Sequence, residues 1–216
     1  MEYIGCLVVV EGVNGSGKTT IISQLVEYLN ESKIAVSTYK FPYRDGYRGK
    51  EIDDYLKKQT TEKSMYDVLD MFADNRKSMI GAIKNDLVRG NIVICDRYVF
   101  SAIAYHIPLD VKDKEIIKNY CNVIGYFDKD MPVPDMVYLI QGDHLRKRKD
   151  SIVELFHSTG DKAQARHRLL SKVIESYSKN FKVLENKLNK SHVVATLMYS
   201  QIIRQNPITA FLKKIL

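Results

Sequence analysis

Little in this sequence suggests a disulfide framework, a membrane span or a tether. Only three cysteines occur, Cys6, Cys95 and Cys121, and they lie far apart. An odd, scattered set argues against a disulfide framework or a zinc site and for buried thiols in a reducing compartment. No apolar run is long enough to cross a bilayer. Residues 4–10 are too short a run for a signal peptide and lead straight into a glycine-rich loop, so no leader is expected. Internal repeats, low-complexity tracts and linker-like stretches are also missing. These absences point to one domain over residues 1–216, with no membrane partner and a cytoplasmic location (a host's cytoplasm if the source is viral).

The chain has 216 residues, 45% hydrophobic and 27% charged, which suits one folded domain with a sizeable core. Formal charge is +7. Such an excess of Lys and Arg favours a polyanionic partner: nucleic acid, an acidic membrane surface or a phosphorylated small molecule. Charge does not choose among them.

Apolar patterning supplies the fold class. Residues 4–10 (IGCLVVV), 91–95 (NIVIC) and 136–140 (MVYLI) are short continuous apolar runs, as in strands buried on both faces. Residues 34–39 alternate and read as another strand. Residues 191–196 (SHVVAT) are a candidate fifth. Ile21, Ile22, Leu25, Val26 and Leu29 recur at helical spacing, and residues 46–88 read as mostly helical, with Gly90 as a stop. A helix is expected from Phe100, a long one over 162–188 and a last one over 207–216. Residues 142–161, charged and irregular, read as a lid. Strands alternating with helices imply an α/β fold with a parallel sheet covered on both faces.

Residues 12–19 (GVNGSGKT) match G-x-x-x-x-G-K-[ST] in full, after a strand and at the opening of a helix. Glycines let backbone N–H groups converge on one anion, and the helix start adds the positive end of its dipole. Gly12, Asn14, Gly15, Ser16, Gly17, Lys18, Thr19 and Thr20 are therefore the expected nucleoside-triphosphate site; the motif alone does not separate kinases from ATPases or GTPases, and ATP as the donor is what the resemblance below implies. Lys18 is placed to reach the β/γ oxygens and Thr19 to ligate Mg²⁺. Asp96 closes the apolar strand 92–95, where a carboxylate would hold Mg²⁺ directly or through water; a helix N-cap role is the alternative. Arg44, just past a strand end and a proline, and Arg97, just past another strand end, suit a monophosphate dianion in the crevice at the carboxyl edge of the sheet. Alternatives are a solvated surface residue for Arg44 and a structural ion pair for Arg97.

Five motifs in order resemble the thymidylate kinase family. They are residues 10–20 (VEGVNGSGKTT), 41–44 (FPYR), 72–76 (FADNR), 96–101 (DRYVFS) continued by Ala104 and Tyr105, and 134–135 (PD). The resemblance spans about residues 4–140. It implies a three-layer P-loop nucleoside-monophosphate kinase fold with a five-stranded parallel sheet, helices on both faces and a lid. It implies transfer of the ATP γ-phosphoryl group to thymidylate (dTMP), with Mg²⁺ as cofactor and a homodimeric assembly.

The resemblance also implies site roles. Phe72 would stack on thymine, and Arg76, four residues along the same helical face, would bond a ring carbonyl. Ser101 would lie near the ring, and Tyr105 beside the sugar, against a 2′-hydroxyl. Asn14, Phe41, Pro42, Arg44 and Arg97 would complete the dTMP site, with Glu154 and Phe156 from the lid. Lys18, Asp96 and Arg97 would be catalytic. Two positions depart from the family pattern: Asn14 stands where most members carry an acid that bonds the sugar 3′-hydroxyl, and Gly15 where one subclass carries a catalytic Arg. The basic run 145–149 then offers Arg148 first and Arg146 second as the lid cation. Competing readings are another deoxynucleotide or deoxynucleoside kinase, a nucleic-acid-dependent ATPase and a silent nucleotide-binding module. The absence of recognisable helicase or nucleic-acid motifs argues against the ATPase and for small-molecule nucleotides, with no nucleic acid, as the ligands.

Overall fold

A computed structural model describes residues 3–59, 63–142, 160–177 and 182–188. Twelve elements follow in order. They are β1 (Cys6–Glu11), α1 (Lys18–Glu31), β2 (Val36–Lys40), α2 (Gly49–Leu56), α3 (Met65–Lys77) and α4 (Ile80–Val88), then β3 (Ile92–Asp96), α5 (Val99–His106), α6 (Lys114–Phe127), β4 (Met136–Gly142), α7 (Gly160–Tyr177) and β5 (Lys182–Leu188). The five strands form one sheet in the order β2-β3-β1-β4-β5, and every pairing is parallel.

Strand alternation sorts the core into two layers. Leu7, Val9, Val93, Cys95, Val137 and Leu139 face one side, under α4, α5, α6 and α7. Val8, Val10, Ile92, Ile94, Met136 and Tyr138 face the other, where α1 lays Ile21, Leu25 and Leu29. Both faces are covered, which is why the central strands read as unbroken apolar runs. A smaller cluster of Ile52, Leu56, Val68, Met71 and Phe72 joins α2 to α3. All three cysteines are buried and free.

Register aligns the functional ends. Val10 and Lys40 both pair with Asp96, so β1, β2 and β3 finish side by side. The central strand β1 has β3 on one flank and β4 on the other. Ligands bind at such switch points in open parallel sheets.

The carboxyl-terminal expectations need correction. The helix expected over 162–188 ends at Tyr177, and residues 182–188 form β5 beside β4. Val183, Leu184 and Leu188 fit a helical stripe as readily as a strand, and pairing with the open edge of β4 decides between them. Sheet context overrides local pattern here. The strand expected at 191–196 and the helix expected at 207–216 lie outside the described residues, as do positions 143–159 of the expected lid. Helix α6 is a further element not anticipated. Its signals were present: Asp113 caps it, accepting from Glu115 N at 2.7 Å, and Ile117, Cys121 and Ile124 share one buried face.

Candidate active site

A cavity of about 700 Å³ opens at the carboxyl ends of β1, β2 and β3. Its size suits small-molecule ligands.

One wall is the loop of residues 12–17 between β1 and α1. Gly12 is required by packing: a Cβ there would lie 2.7 Å from both the Ile140 carbonyl oxygen and Ser16 Oγ. Gly17 sits in the left-handed region (φ 94°) and opens α1 without a side-chain cap. No acidic residue occupies the first turn. The helix start therefore leaves its amides and dipole to an external anion.

Lys18 is 7% exposed and donates to the carbonyls of Gly12 (2.9 Å) and Val13 (2.8 Å). Burial brings its pKa down to about 7; nearby Arg97 adds to the fall, while Asp96 and Glu11 oppose it. Thr19 and Thr20 are exposed at the cavity edge. Asn14, Gly15, Gly17, Lys18, Thr19 and Thr20 line the cavity, whereas Gly12 and Ser16 lie beneath the loop.

Asp96 ends β3 and is 9% exposed. Its Oδ1 is buried and has no hydrogen-bond partner among the described residues. It does not cap α5: that cap comes from Glu11, a fully buried carboxylate at the end of β1. Glu11 Oε1 accepts from Tyr98 N (2.9 Å) and Ser101 N (3.1 Å), and Oε2 accepts from Ser101 Oγ (2.5 Å). Burial pushes the Glu11 pKa up, against the pull of Arg97 and these donors.

Arg97 holds the left-handed backbone (φ 70°), a strained conformation for a non-glycine residue. Its guanidinium donates to Gly12 O (2.9 Å), Ser101 Oγ (3.0 Å) and Asn14 Oδ1 (2.5 Å). All three acceptors are neutral; Arg97 makes no ion pair at contact distance among the described residues, and its attraction for the buried Glu11 carboxylate acts without a direct bond. Arg97 ties the phosphate loop to α5 and keeps its charge for the cavity.

The opposite wall collects side chains from β2 to α5. Phe41, 3% exposed, packs on Tyr98 with ring centres 6.2 Å apart, and Pro42 follows it at the rim. Arg44 pairs with Asp53, which also accepts from Lys57 at 2.6 Å. Phe72 belongs to the α2–α3 core and also lines the cavity, meeting Tyr55 (6.3 Å) and His106 (6.0 Å) edge-on. Arg76 is 3% exposed. Its Nε and Nη2 form a two-point pair with Asp128 at 2.8 and 2.6 Å. The expectation that Arg76 serves a ligand carbonyl must therefore share this residue with a structural role; the pair leaves Nη1 as the end for a ligand. Ser101 lines the cavity, but its hydroxyl is engaged by Glu11 and Arg97. Tyr105 also lines it.

Four expected site residues, Arg146, Arg148, Glu154 and Phe156, lie outside the described residues. Others in the cavity wall were not anticipated: Lys40, Asp53, Leu56, Tyr98, Ala102 and His106. His106 Nδ1 lies 2.5 Å from Ala102 O. Burial, then Arg76 and Arg166, lower its pKa against the opposing pull of the Ala102 carbonyl. Glu11 had a legible signal, a lone acid ending an apolar strand. Asp128 had none, because its partner lies far away in the chain.

The thymidylate kinase family profile matches residues 10–197. The chain belongs to the thymidylate kinase family. Among similar proteins, this family member is 38% identical over 107 residues to the putative thymidylate kinase 251L of Invertebrate iridescent virus 6, a stretch covering 50% of each chain. It is 32% identical over 137 residues to the thymidylate kinase of Danio rerio, covering 63% of this chain and 61% of that one. Aligned stretches thus span only about half to three-fifths of the curated relatives it matches. The fold is shared more completely. A thymidylate kinase structure from Candida albicans aligns with a TM-score of 0.63 at 24% identity, covering 94% of this chain and 92% of that one. One from Ehrlichia chaffeensis gives 0.65 at 21% identity, covering 92% and 98%.

Proposed function

We propose that this chain transfers the γ-phosphoryl group of ATP to the 5′-phosphate of dTMP, yielding dTDP and ADP for dTTP synthesis. The observation that carries the reading is a single cavity shared by two anion sites. The phosphate loop with Lys18 forms one, and Arg97 and Arg44 form the other, with Phe72 and Tyr105 beyond them. Family membership supports it.

The residues divide the work. Backbone amides at the start of α1 receive the ATP phosphates. Lys18 leaves the carbonyls of Gly12 and Val13 for the β/γ oxygens, and the anion restores its charge. Arg97 bridges the two sites from a fixed position and Arg44 orients the acceptor phosphate. The acceptor is already an anion, so no strong general base is needed. Positioning and fixed charge supply most of the rate. Phe72 offers a ring face to the pyrimidine, with Arg76 Nη1 for a ring carbonyl.

Mg²⁺ fits the donors present: the buried Asp96 Oδ1, without a partner among the described residues, and the Thr19 hydroxyl are hard oxygens of two residues that line the cavity. When bound, the ion supplies charge neutralisation on the transferring group. Arg148 or Arg146 would add a closing cation over the same group, with Glu154 and Phe156 beside the nucleoside.

No helix among the described residues is long and apolar enough to cross a membrane. Cytoplasmic action on free nucleotides, without nucleic acid, fits this reading. So does a homodimer: Tyr66, Val123 and Tyr126 expose apolar surface on the adjacent helices α3 and α6.

The test is an ADP-release assay with a panel of nucleoside monophosphates and deoxynucleosides, with and without DNA. Turnover with dTMP is expected. Turnover requiring DNA, or tight nucleotide binding with no diphosphate product, would overturn the proposal.

A further inference from the structure

Arg166 lies on α7 and is 8% exposed, yet it forms no ion pair with any carboxylate among the described residues. Its Nη1 donates instead to the carbonyls of Ala104 and Ile107, the latter at 2.8 Å. These groups close the last turn of α5, where helix carbonyls are unsatisfied and carry partial negative charge. The guanidinium carbon also stands 5.1 Å from the centre of the Tyr105 ring. Arg97, the residue that bridges the phosphate loop, stands 5.5 Å from the same centre.

Burying a guanidinium without a counter-ion is costly, and a hydrocarbon side chain would fill the space more cheaply. The geometry shows what the cation does that a hydrocarbon could not. It fixes the backbone on both sides of Tyr105 and His106, the two cavity-lining residues at the end of α5, and holds the Tyr105 ring by a cation–π contact. Arg166 itself does not line the cavity. Its influence on a ligand passes through Tyr105.

We infer that Arg166 is a positioning residue for acceptor selectivity: it sets the Tyr105 ring against the sugar and so maintains discrimination against acceptors that bear a 2′-hydroxyl. This rests on the proposed dTMP kinase activity and on Tyr105 lying beside the sugar. A ring free to shift by a fraction of an ångström makes room for a hydroxyl, and a well-packed contact is what rejects it.

The experiment compares kcat/KM for dTMP with that for the ribonucleotide of the same base. It uses the full chain, Arg166→Gln, Arg166→Lys and Tyr105→Leu, with and without Arg166→Gln in the last. The deoxy-to-ribo ratio should fall at least about tenfold in Arg166→Gln, while the KM for ATP stays within about twofold. Arg166→Lys keeps the cation and should keep part of the ratio. In the Tyr105→Leu background, Arg166→Gln should change the ratio no further, because the two act as one unit. If Arg166→Gln does not fold, Arg166→Lys decides: an unchanged ratio overturns the inference. An unchanged ratio with equal losses toward both acceptors and ATP would mean a purely structural role and also overturns it. Wild-type protein that fails to phosphorylate dTMP defeats the kinase reading and this one together. Wild-type activity with variants that keep the ratio defeats this one alone.

Discussion

The two walls of the cavity are built on opposite plans. The wall proposed for the donor comes from one contiguous stretch, residues 12–20, whose binding groups are mostly its own backbone. The wall proposed for the acceptor draws on α2, α3, α5 and the segments after β2 and β3. Its arginines are held by other side chains and loops: Arg76 by Asp128 far along the chain, Arg97 by Gly12 and Asn14 of the opposite wall and by nearby Ser101, and Arg44 by Asp53 nine residues on. A backbone cradle carries its specification with it. A side-chain wall depends on supports elsewhere and can be broken from a distance.

Asp128→Ala tests that dependence most severely. It strands the Arg76 guanidinium in a buried site, at a cost of about 3–5 kcal/mol. A thermal melt should show the loss, and dTMP binding should weaken in calorimetry while ATP binding to the folded protein holds. Equal loss of both would erase the contrast between the walls.

Lys18→Ala attacks the donor wall from within. Turnover should fall by about 10²–10³-fold, the scale for losing one preorganised charge at a reacting group. Its far-UV spectrum should stay unchanged, since the variant removes a buried charge that burial disfavours. Phe72→Ala should raise the KM for dTMP by about tenfold, from lost apolar contact and stacking, and leave the KM for ATP within about twofold. Parallel increases in both would contradict a pyrimidine-facing role.

Protonation separates the walls more gently. Lys18 falls from its ordinary value of 10.5 to about 7 when folded and empty. Below pH 7 the native state carries the full cost of a buried ammonium. Between pH 7 and 10.5 the unfolded chain binds the extra proton, so this group makes stability rise with pH across that window. ATP should recharge Lys18. Near pH 8.5, binding should therefore take up about one proton, seen as a dependence of the binding heat on buffer ionisation enthalpy. Lys18→Ala should abolish that uptake, and dTMP should produce less of it. The smallest effect is expected from Asn14→Asp. A carboxylate there would pair with Arg97, and a several-fold change in the KM for dTMP should leave the KM for ATP nearly constant.

These two plans also explain what could be read from the sequence. The central strands, the phosphate loop and the helix after it follow from local pattern, because the same residues make the structure and the site. A strand end, with the resemblance of residues 96–101 to the family motif, is enough to bring Asp96 and Arg97 to the cavity they line. The Arg76–Asp128 pair, the capping of α5 by Glu11 and the presence of Arg166 behind Tyr105 join residues far apart in the chain, so no window of sequence contains them. Residues 182–188 show the same limit in the fold, with a helical stripe recruited as a strand by its neighbour β4.

The Glu11 carboxylate has a consequence for how the molecule breathes. It grips the amides of Tyr98 and Ser101 from a strand at the middle of the sheet. Those two amides can meet solvent only when β1 and α5 part, an event close to global unfolding. In deuterium exchange they should be among the slowest in the chain, and the floor beneath the cavity should open as one piece.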